Sequence, residues 1–295
     1  MSKGMSRVTV EGCMVSAVSP EGQKASLSIT DLLGKIAPAR MSTCGVVLPD
    51  GVKAVISEGP VVLWVHETPP SVMNLKWIEK SSPVKFGPET RSRQVRISLP
   101  YLIVFAVFAP GEYGQLQISN SNECFFRNKP ITDESDELYY PALLNCSRFV
   151  PDEGRPLSWI CTQYLERAAF INQQNVNKRL RASYKALMSC LLQTGFNYSS
   201  EFHEYSSWFT ESSRVDPRIS TIESWEEATK ANPFFAVEVP WLKTGKTIRQ
   251  VADRIFKNLH ASNSAVTSES DLARIIFNNT LKPQPLQPLT LAKNP

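Results

Sequence analysis

The segment 101-YLIVFAVFA-109 decides the fold class of this chain. It is continuously apolar and is bounded by Pro100 on one side and by Pro110-Gly111 on the other. Such a segment is typical of a strand that is buried on both faces, and it is far shorter than the roughly 20 apolar residues of a membrane helix. We predict that it forms the centre of a sheet, with 113-YGQLQIS-119 as its hairpin partner.

Other β-rich segments surround this strand. The segments 44-CGVVLPDGVKAVIS-57, 60-PVVLWVHE-67 and 93-RQVRISL-99 precede it, and Asp50-Gly51 is typical of a hairpin turn. We predict an antiparallel meander.

The chain after Cys161 is helical in pattern. It has no glycine or proline until Gly195, and its apolar residues have helical spacing, which predicts a helix in one or two pieces. Further helices are predicted in 221-TIESWEEATKA-231, capped by Ser220 or Thr221, and in 247-TIRQVADRIFKNL-259. Strands therefore precede helices, which predicts an α+β fold.

The sequence patterns at the two ends of the chain predict an N-terminal extension and a C-terminal tail outside this core. The segment 7-RVTVEGCMVSAV-18 alternates as a strand does, and 26-SLSITDLLGKIAPA-39 predicts an Asp-led helical turn that stops before Pro38. We expect residues 1–85 to form a β-rich extension continuous with the sheet and residues 86–262 to form the core. Residues 263–295 are expected to be a flexible tail with one short helix.

The composition excludes little. The formal charge is +4 from 32 basic and 28 acidic side chains, so neither a nucleic-acid nor a membrane partner is expected. The six cysteines are far apart, without a CxxC pair, which favours reduced thiols in a cytoplasm. The N-terminus lacks the apolar stretch of a secretory signal.

The sequence lacks the complete motif of a phosphate-binding loop, of a histidine metal site and of a serine hydrolase. Gly245-Lys246-Thr247 lies before a helix, but Pro240 stands where a phosphate-binding loop needs glycine, so we predict a loop and N-cap. The three histidines, His66, His203 and His260, are isolated, which gives no metal site. Ser199, Ser200 and His203 lie close together in the sequence without the nucleophile elbow of a serine hydrolase.

Cys161 is the residue for which the sequence leaves two interpretations. It lies where an irregular segment, residues 128–157, meets the helical half, and a thiol there can be accessible within rigid surroundings. However, Trp159-Ile160 indicate a nearby core, and buried cysteines are common.

The order of these features resembles the ubiquitin-conjugating (UBC-like) fold. More narrowly, the chain resembles the bacterial UBC-like family D, which includes protein B of the plasmid-associated PRTRC systems. The matching segments extend from about Pro100 to Phe256: 99-LPYLIVFAVFA-109, 128-NKPITDESDELYYPALLN-145, 159-WIC-161, 198-YSSEFHEY-205 and 234-FFAVEVPWLKTGKTIRQVADRIF-256.

The resemblance implies a carrier of a ubiquitin-like modifier. Cys161 matches the cysteine that accepts the modifier as a thioester, and Asn145 matches the asparagine whose amide stabilises the oxyanion. A ThiF-type activating enzyme and a ubiquitin-like β-grasp protein are the implied partners, and no cofactor is needed. His203 matches a histidine of the family without an assigned role.

Departures from the family keep a second interpretation open. The gap between Asn145 and Cys161 is about twice that usual in the fold, because of the loop 149-FVPDEGRPLS-158, and Cys146 is an alternative nucleophile. The alternative function is a noncatalytic UBC-like scaffold or interaction module in the same kind of plasmid or mobile-element system. Whether the chain is an enzyme is thus left open by its sequence.

Overall fold

The chain has two compact units. The computed structural model describes residues 7–36, 48–58, 60–79, 81–82, 89–110, 115–143, 145–149, 156–195, 206–262, 269, 272–273 and 276–277. One unit combines Met1–Ala39 with His260–Pro295, and the other is Arg40–Leu259.

The first unit contains a small antiparallel sheet and a helix. Its elements are β1 (Arg7–Glu11), β2 (Met14–Val18), β3 (Lys24–Ser28) and α1 (Ile29–Ile36), and the strand order is β1-β2-β3. The segment predicted as one strand is a hairpin, because Gly12 turns the chain with a φ of +58° that favours glycine. At the start of α1, the Ser28 hydroxyl accepts a hydrogen bond from the Asp31 amide at 2.9 Å.

The C-terminal segment closes this unit. Ala273 and Ile276 are helical, and both are buried against Val15 and Ala17 of β2 and Leu32 of α1. At these described positions within residues 263–295, the apolar side chains pack into the small core.

The second unit is built on a nine-stranded antiparallel sheet that curls into a half-barrel. Its main path runs β12-β13-β10-β8-β5-β4, while β9 pairs with β8, and β11 pairs with β10 and β14. The strands are β4 (Val52–Glu58), β5 (Val61–Thr68), β8 (Tyr101–Pro110), β9 (Leu116–Ile118), β10 (Glu123–Arg127), β11 (Glu137–Tyr139), β12 (Cys146–Arg148), β13 (Ser158–Ile160) and β14 (Lys243–Thr247).

The strand β8 lies inside this sheet, as predicted. Leu102 to Phe108 are fully buried, and alternate side chains enter two different cores: Val104 packs in one and Phe105 in the other. The predicted hairpin with β9 is confirmed by the pairing of Phe108 with Ile118. Burial on both faces is the physical reason for the unbroken apolar segment.

The helices cover the two faces of the sheet. They are α2 (Ala168–Ile171), α3 (Val176–Gln193), α4 (Ser207–Thr210), α5 (Ile222–Ala231) and α6 (Ile248–Ser262). α3 and α5 bury side chains in the core that contains Val104, while α6 buries Val251 and Ile255 in the core that contains Phe105. The fold class is therefore α+β, as predicted.

Two predictions about the sheet need correction. A separate hairpin, β6 (Ser71–Ile78) with β7 (Ser92–Leu99), intervenes between β5 and β8, so β5 pairs with β8 across this insertion and the strands do not form a simple meander. The described strands before residue 40 form a separate three-stranded sheet, whereas β4 and β5 pair within the sheet that contains β8. The two units therefore divide near residue 40 and not at residue 85.

Capping explains where the later helices begin. The Thr221 hydroxyl accepts from the Ser224 amide at 3.1 Å, so Thr221 rather than Ser220 caps α5. Thr247 and Gln250 exchange hydrogen bonds between side chain and backbone in both directions, at 3.1 and 3.3 Å. The Gly245-Lys246-Thr247 segment is thus the end of β14 and the N-cap of α6, and the expected N-cap is confirmed. None of the helices in the described residues is long and apolar enough to cross a membrane.

Candidate functional site

The hairpin β12–β13 brings Asn145 and Cys161 together. Asn145 directly precedes β12, Cys161 directly follows β13, and Cys146 pairs with Ile160 at the end of the ladder. The Cys161 amide donates to the Asn145 carbonyl oxygen at 3.2 Å, which extends the pairing by one residue. The 16 positions between the two residues therefore do not separate them in space.

The Asn145 side chain binds backbone groups. Its Nδ2 atom donates to the carbonyl oxygen of Cys161 at 3.0 Å and to that of Cys190 at 2.6 Å, and it lies 3.7 Å from the Cys190 Sγ atom. Cys190 lies in the last turn of α3, where carbonyl groups have no partner within the helix. Asn145 thus ties the end of the hairpin to the end of α3.

The amide oxygen of Asn145 has a different environment. The residue is 2% exposed, and its Oδ1 atom has no hydrogen-bond partner within the described part of the chain. Exchanging the amide nitrogen and oxygen would place an acceptor against two carbonyl oxygens, so the hydrogen bonds determine the observed orientation.

Cys161 lies inside the core that contains Val104. The residue is 2% exposed, and its carbonyl oxygen accepts a second hydrogen bond from the Cys190 thiol at 3.2 Å. A thiol that accepts the C-terminus of another protein must be reachable by that chain. In the folded arrangement, Cys161 is not accessible in this way.

Three further thiols are buried in the same core: Cys124, Cys146 and Cys190. Burial raises the pKa of the Cys190 thiol to about 11, against a smaller lowering by the Asn145 amide. Burial also raises the pKa of Cys124, and a hydrogen bond with the Cys146 thiol adds to the increase. A thiolate is the reactive form, so the surroundings of Cys124 and Cys190 disfavour nucleophilic chemistry. Cys146, the alternative nucleophile, is fully buried.

His66 is a buried residue to which the sequence assigns no role. Its Nε2 atom lies 2.8 Å from the Asp50 carbonyl oxygen, its ring is 4.5 Å from the Tyr184 ring, and its Nδ1 atom is buried without a partner among the residues described. Burial lowers the pKa of His66, despite smaller raising effects of the Asp50 carbonyl and the Glu67 carboxylate. The imidazole ring is therefore neutral at pH 7, and it packs between β5 and α3.

The remaining residues to consider are the serine and histidine candidates, two tryptophans and possible metal ligands. Ser199, Ser200 and His203 lie outside the described residues. Trp208 and Trp225 are buried and donate to the carbonyl oxygens of Ile219 and Ser98, so both side chains pack in the core. Among the residues described, no group of three or more His, Cys, Asp or Glu side chains is arranged to hold a metal ion.

The fold class is α+β, and in the part of the chain that the structure describes four thiols are buried close to the Asn145 amide or in the same core. No protein-family model, no curated protein and no solved structure matches the chain.

Proposed function

We propose that the chain is a noncatalytic UBC-like interaction protein of a bacterial plasmid or mobile-element system. In this proposal it binds a ThiF-type activating enzyme and a ubiquitin-like β-grasp protein through its folded surface, and Cys161 is a core residue. The UBC-like assignment rests on the resemblance of the segments from Pro100 to Phe256, together with the α+β arrangement of sheet and helices.

The main support for a noncatalytic function is that Cys161 is buried and that the neighbouring Asn145 side-chain amide already has hydrogen-bond partners. The Nδ2 atom of Asn145 is already bound to two carbonyl oxygens, at 3.0 and 2.6 Å. An oxyanion donor must instead point to the place where the negative charge develops. Catalysis would therefore require both a new position for the Asn145 amide and exposure of the Cys161 thiol.

The carrier function is the second candidate, because one observation favours it. The hairpin places Asn145 directly beside Cys161 despite the long loop between them, and the Cys161 amide is 3.2 Å from the Asn145 carbonyl oxygen. A local opening of the β12–β13 end would then expose both groups together. In that case the thiol would take the modifier from the activating enzyme and pass it to an amine.

One experiment separates the two candidates. The purified chain is mixed with ATP and with the activating enzyme and β-grasp protein of the same genome, and a nonreducing gel is read beside a size-exclusion profile. We expect a complex without a thiol-sensitive adduct, formed equally by wild type and Cys161→Ser. The exposed Cys13 provides a matched control, Cys13→Ser.

A different result on the nonreducing gel would favour the carrier function. An adduct that is lost in Cys161→Ser and kept in Cys146→Ser and Cys13→Ser would replace the noncatalytic proposal. Absence of both adduct and complex would reject both candidates. Thermal unfolding of each variant checks that loss of signal is not loss of fold.

A further inference from the structure

A cleft of about 510 Å³ lies where the β6–β7 hairpin meets the beginning of α5. Trp77 and Trp208 line it as aromatic residues, and Glu79, Arg93 and Glu223 line it as charged residues. None of these residues belongs to the thiol cluster around Cys161, so the inference from this cleft does not depend on the proposed function.

The aromatic wall is held in place. The rings of Trp77 and Trp208 lie 5.4 Å apart at an angle of 57°. Trp208 is buried, and its Nε1 atom donates to the Ile219 carbonyl oxygen at 3.2 Å. Trp77 is only half-buried, so it is the indole whose ring a ligand can cover.

The charges of the cleft favour a cation. The Arg93 guanidinium is held by Glu226 at 2.6 Å and lies 3.6 Å from the Glu223 carboxylate. The Glu79 carboxylate accepts a hydrogen bond from the Ser81 hydroxyl at 3.3 Å, and no cation lies within ion-pair distance of it among the described residues. The described lining therefore has two carboxylates and a single guanidinium, which is itself shared with Glu226.

Anions and metal ions fit this cleft poorly. The beginning of α5 offers backbone amides, but Thr221 already caps the Ser224 amide at 3.1 Å, and Glu223 in the first turn repels an anion. Among the residues that the structure describes, no three His, Cys, Asp or Glu side chains converge here or elsewhere to hold a metal ion.

We propose that the cleft binds an arginine side chain of a partner protein. The planar guanidinium stacks on the half-buried Trp77 ring, and its N–H groups donate to the Glu79 and Glu223 carboxylates. Arginine suits the site better than lysine, because its flat, weakly hydrated head both stacks on an aromatic ring and binds carboxylates through two donors. The partner's backbone stays outside the open cleft.

The test uses the full chain and a short peptide, Ac-Gly-Arg-Gly-NH2, titrated while the indole N–H signals are followed by NMR. The Trp77 signal is assigned with Trp77→Phe. We expect a saturable shift of that signal at roughly 1–10 mM peptide, weaker binding of Ac-Gly-Lys-Gly-NH2 and no shift with Ac-Gly-Gln-Gly-NH2. Glu79→Gln should weaken binding of the arginine peptide about threefold.

The matched control is Glu227→Gln, since Glu227 is an exposed glutamate of α5 that does not line the cleft. It should bind like wild type. The proposal is overturned if the arginine peptide gives no shift, if the glutamine peptide gives the same shift, or if Glu79→Gln binds as wild type does. The remaining indole signals report whether each variant is folded.

Discussion

Replacing Asn145 tests whether its side chain ties the β12–β13 hairpin to α3. Asn145→Ala removes the hydrogen bonds to the carbonyl oxygens of Cys161 and Cys190. Each carbonyl keeps another donor, the Cys190 thiol at 3.2 Å and the Thr194 hydroxyl at 2.9 Å, so neither is left unpaired. The expected loss in the free energy of unfolding is therefore modest, about 1–2 kcal/mol.

Asn145→Asp should cost more and should depend on pH. A carboxylate in this position has no proton to give to the two carbonyl oxygens and is buried, so we expect a loss of about 3–5 kcal/mol at pH 7. Burial raises the pKa of an introduced carboxyl above its unfolded value of about 3.9, so the folded state binds the proton more tightly. The stability of the variant should therefore increase as the pH falls towards about 4.

Urea unfolding followed by tryptophan fluorescence at pH 7 and at lower pH measures both effects. Asn74→Asp is the control, because Asn74 is exposed in β6. Equal stability of Asn145→Asp and Asn145→Ala at pH 7 would refute the reasoning. A change of less than about 0.5 kcal/mol for Asn145→Ala would do the same, since that is the usual range of surface substitutions.

Three other outcomes are expected. In pulse alkylation read by mass spectrometry, the exposed Cys13 should react at least about 100-fold faster than the buried Cys161; similar rates would mean that the site opens readily. Trp225→Ala should lower the free energy of unfolding by about 3–5 kcal/mol in urea titrations, because it removes a fully buried ring and its 2.9 Å hydrogen bond to Ser98. Because the pKa of His66 is lowered, the unfolded chain binds more protons below about pH 6.5, and stability should decrease from pH 7 to pH 5. This decrease should be smaller in His66→Gln, and an unchanged slope would contradict the assignment.

Local sequence patterns predicted an element correctly where a single physical requirement, such as burial or helix capping, determines the sequence of that element. The strand at residues 101–109 and its hairpin with β9 were predicted because burial on both faces demands unbroken apolar sequence. A cap at Ser220 or Thr221 and one at Thr247 were predicted because a helix start needs a side-chain acceptor for its first amides, and Thr221 and Thr247 are the caps observed. These requirements act within a few residues of the chain.

Connections between distant segments were predicted less well. β5 and β8 each contain a continuously apolar segment, while β6 and β7 both mix polar and apolar residues, and neither pattern specifies which strands pair. In the same way, nothing in the apolar spacing of Ala273 and Ile276 indicates that they complete the core of a sheet formed near the other end of the chain.

By itself, the sequence determined the α+β class, the central strand and the helix starts, and its resemblance to the UBC-like family indicated Asn145 and Cys161 as candidate site residues. Only the tertiary structure decided that these two residues are neighbours, that the Asn145 amide is bound to backbone carbonyls, and that Cys161 is buried. The physical reason is that accessibility and hydrogen-bond partners depend on what α3 and the hairpin place around a side chain. A residue's identity and its spacing along the chain do not contain that information.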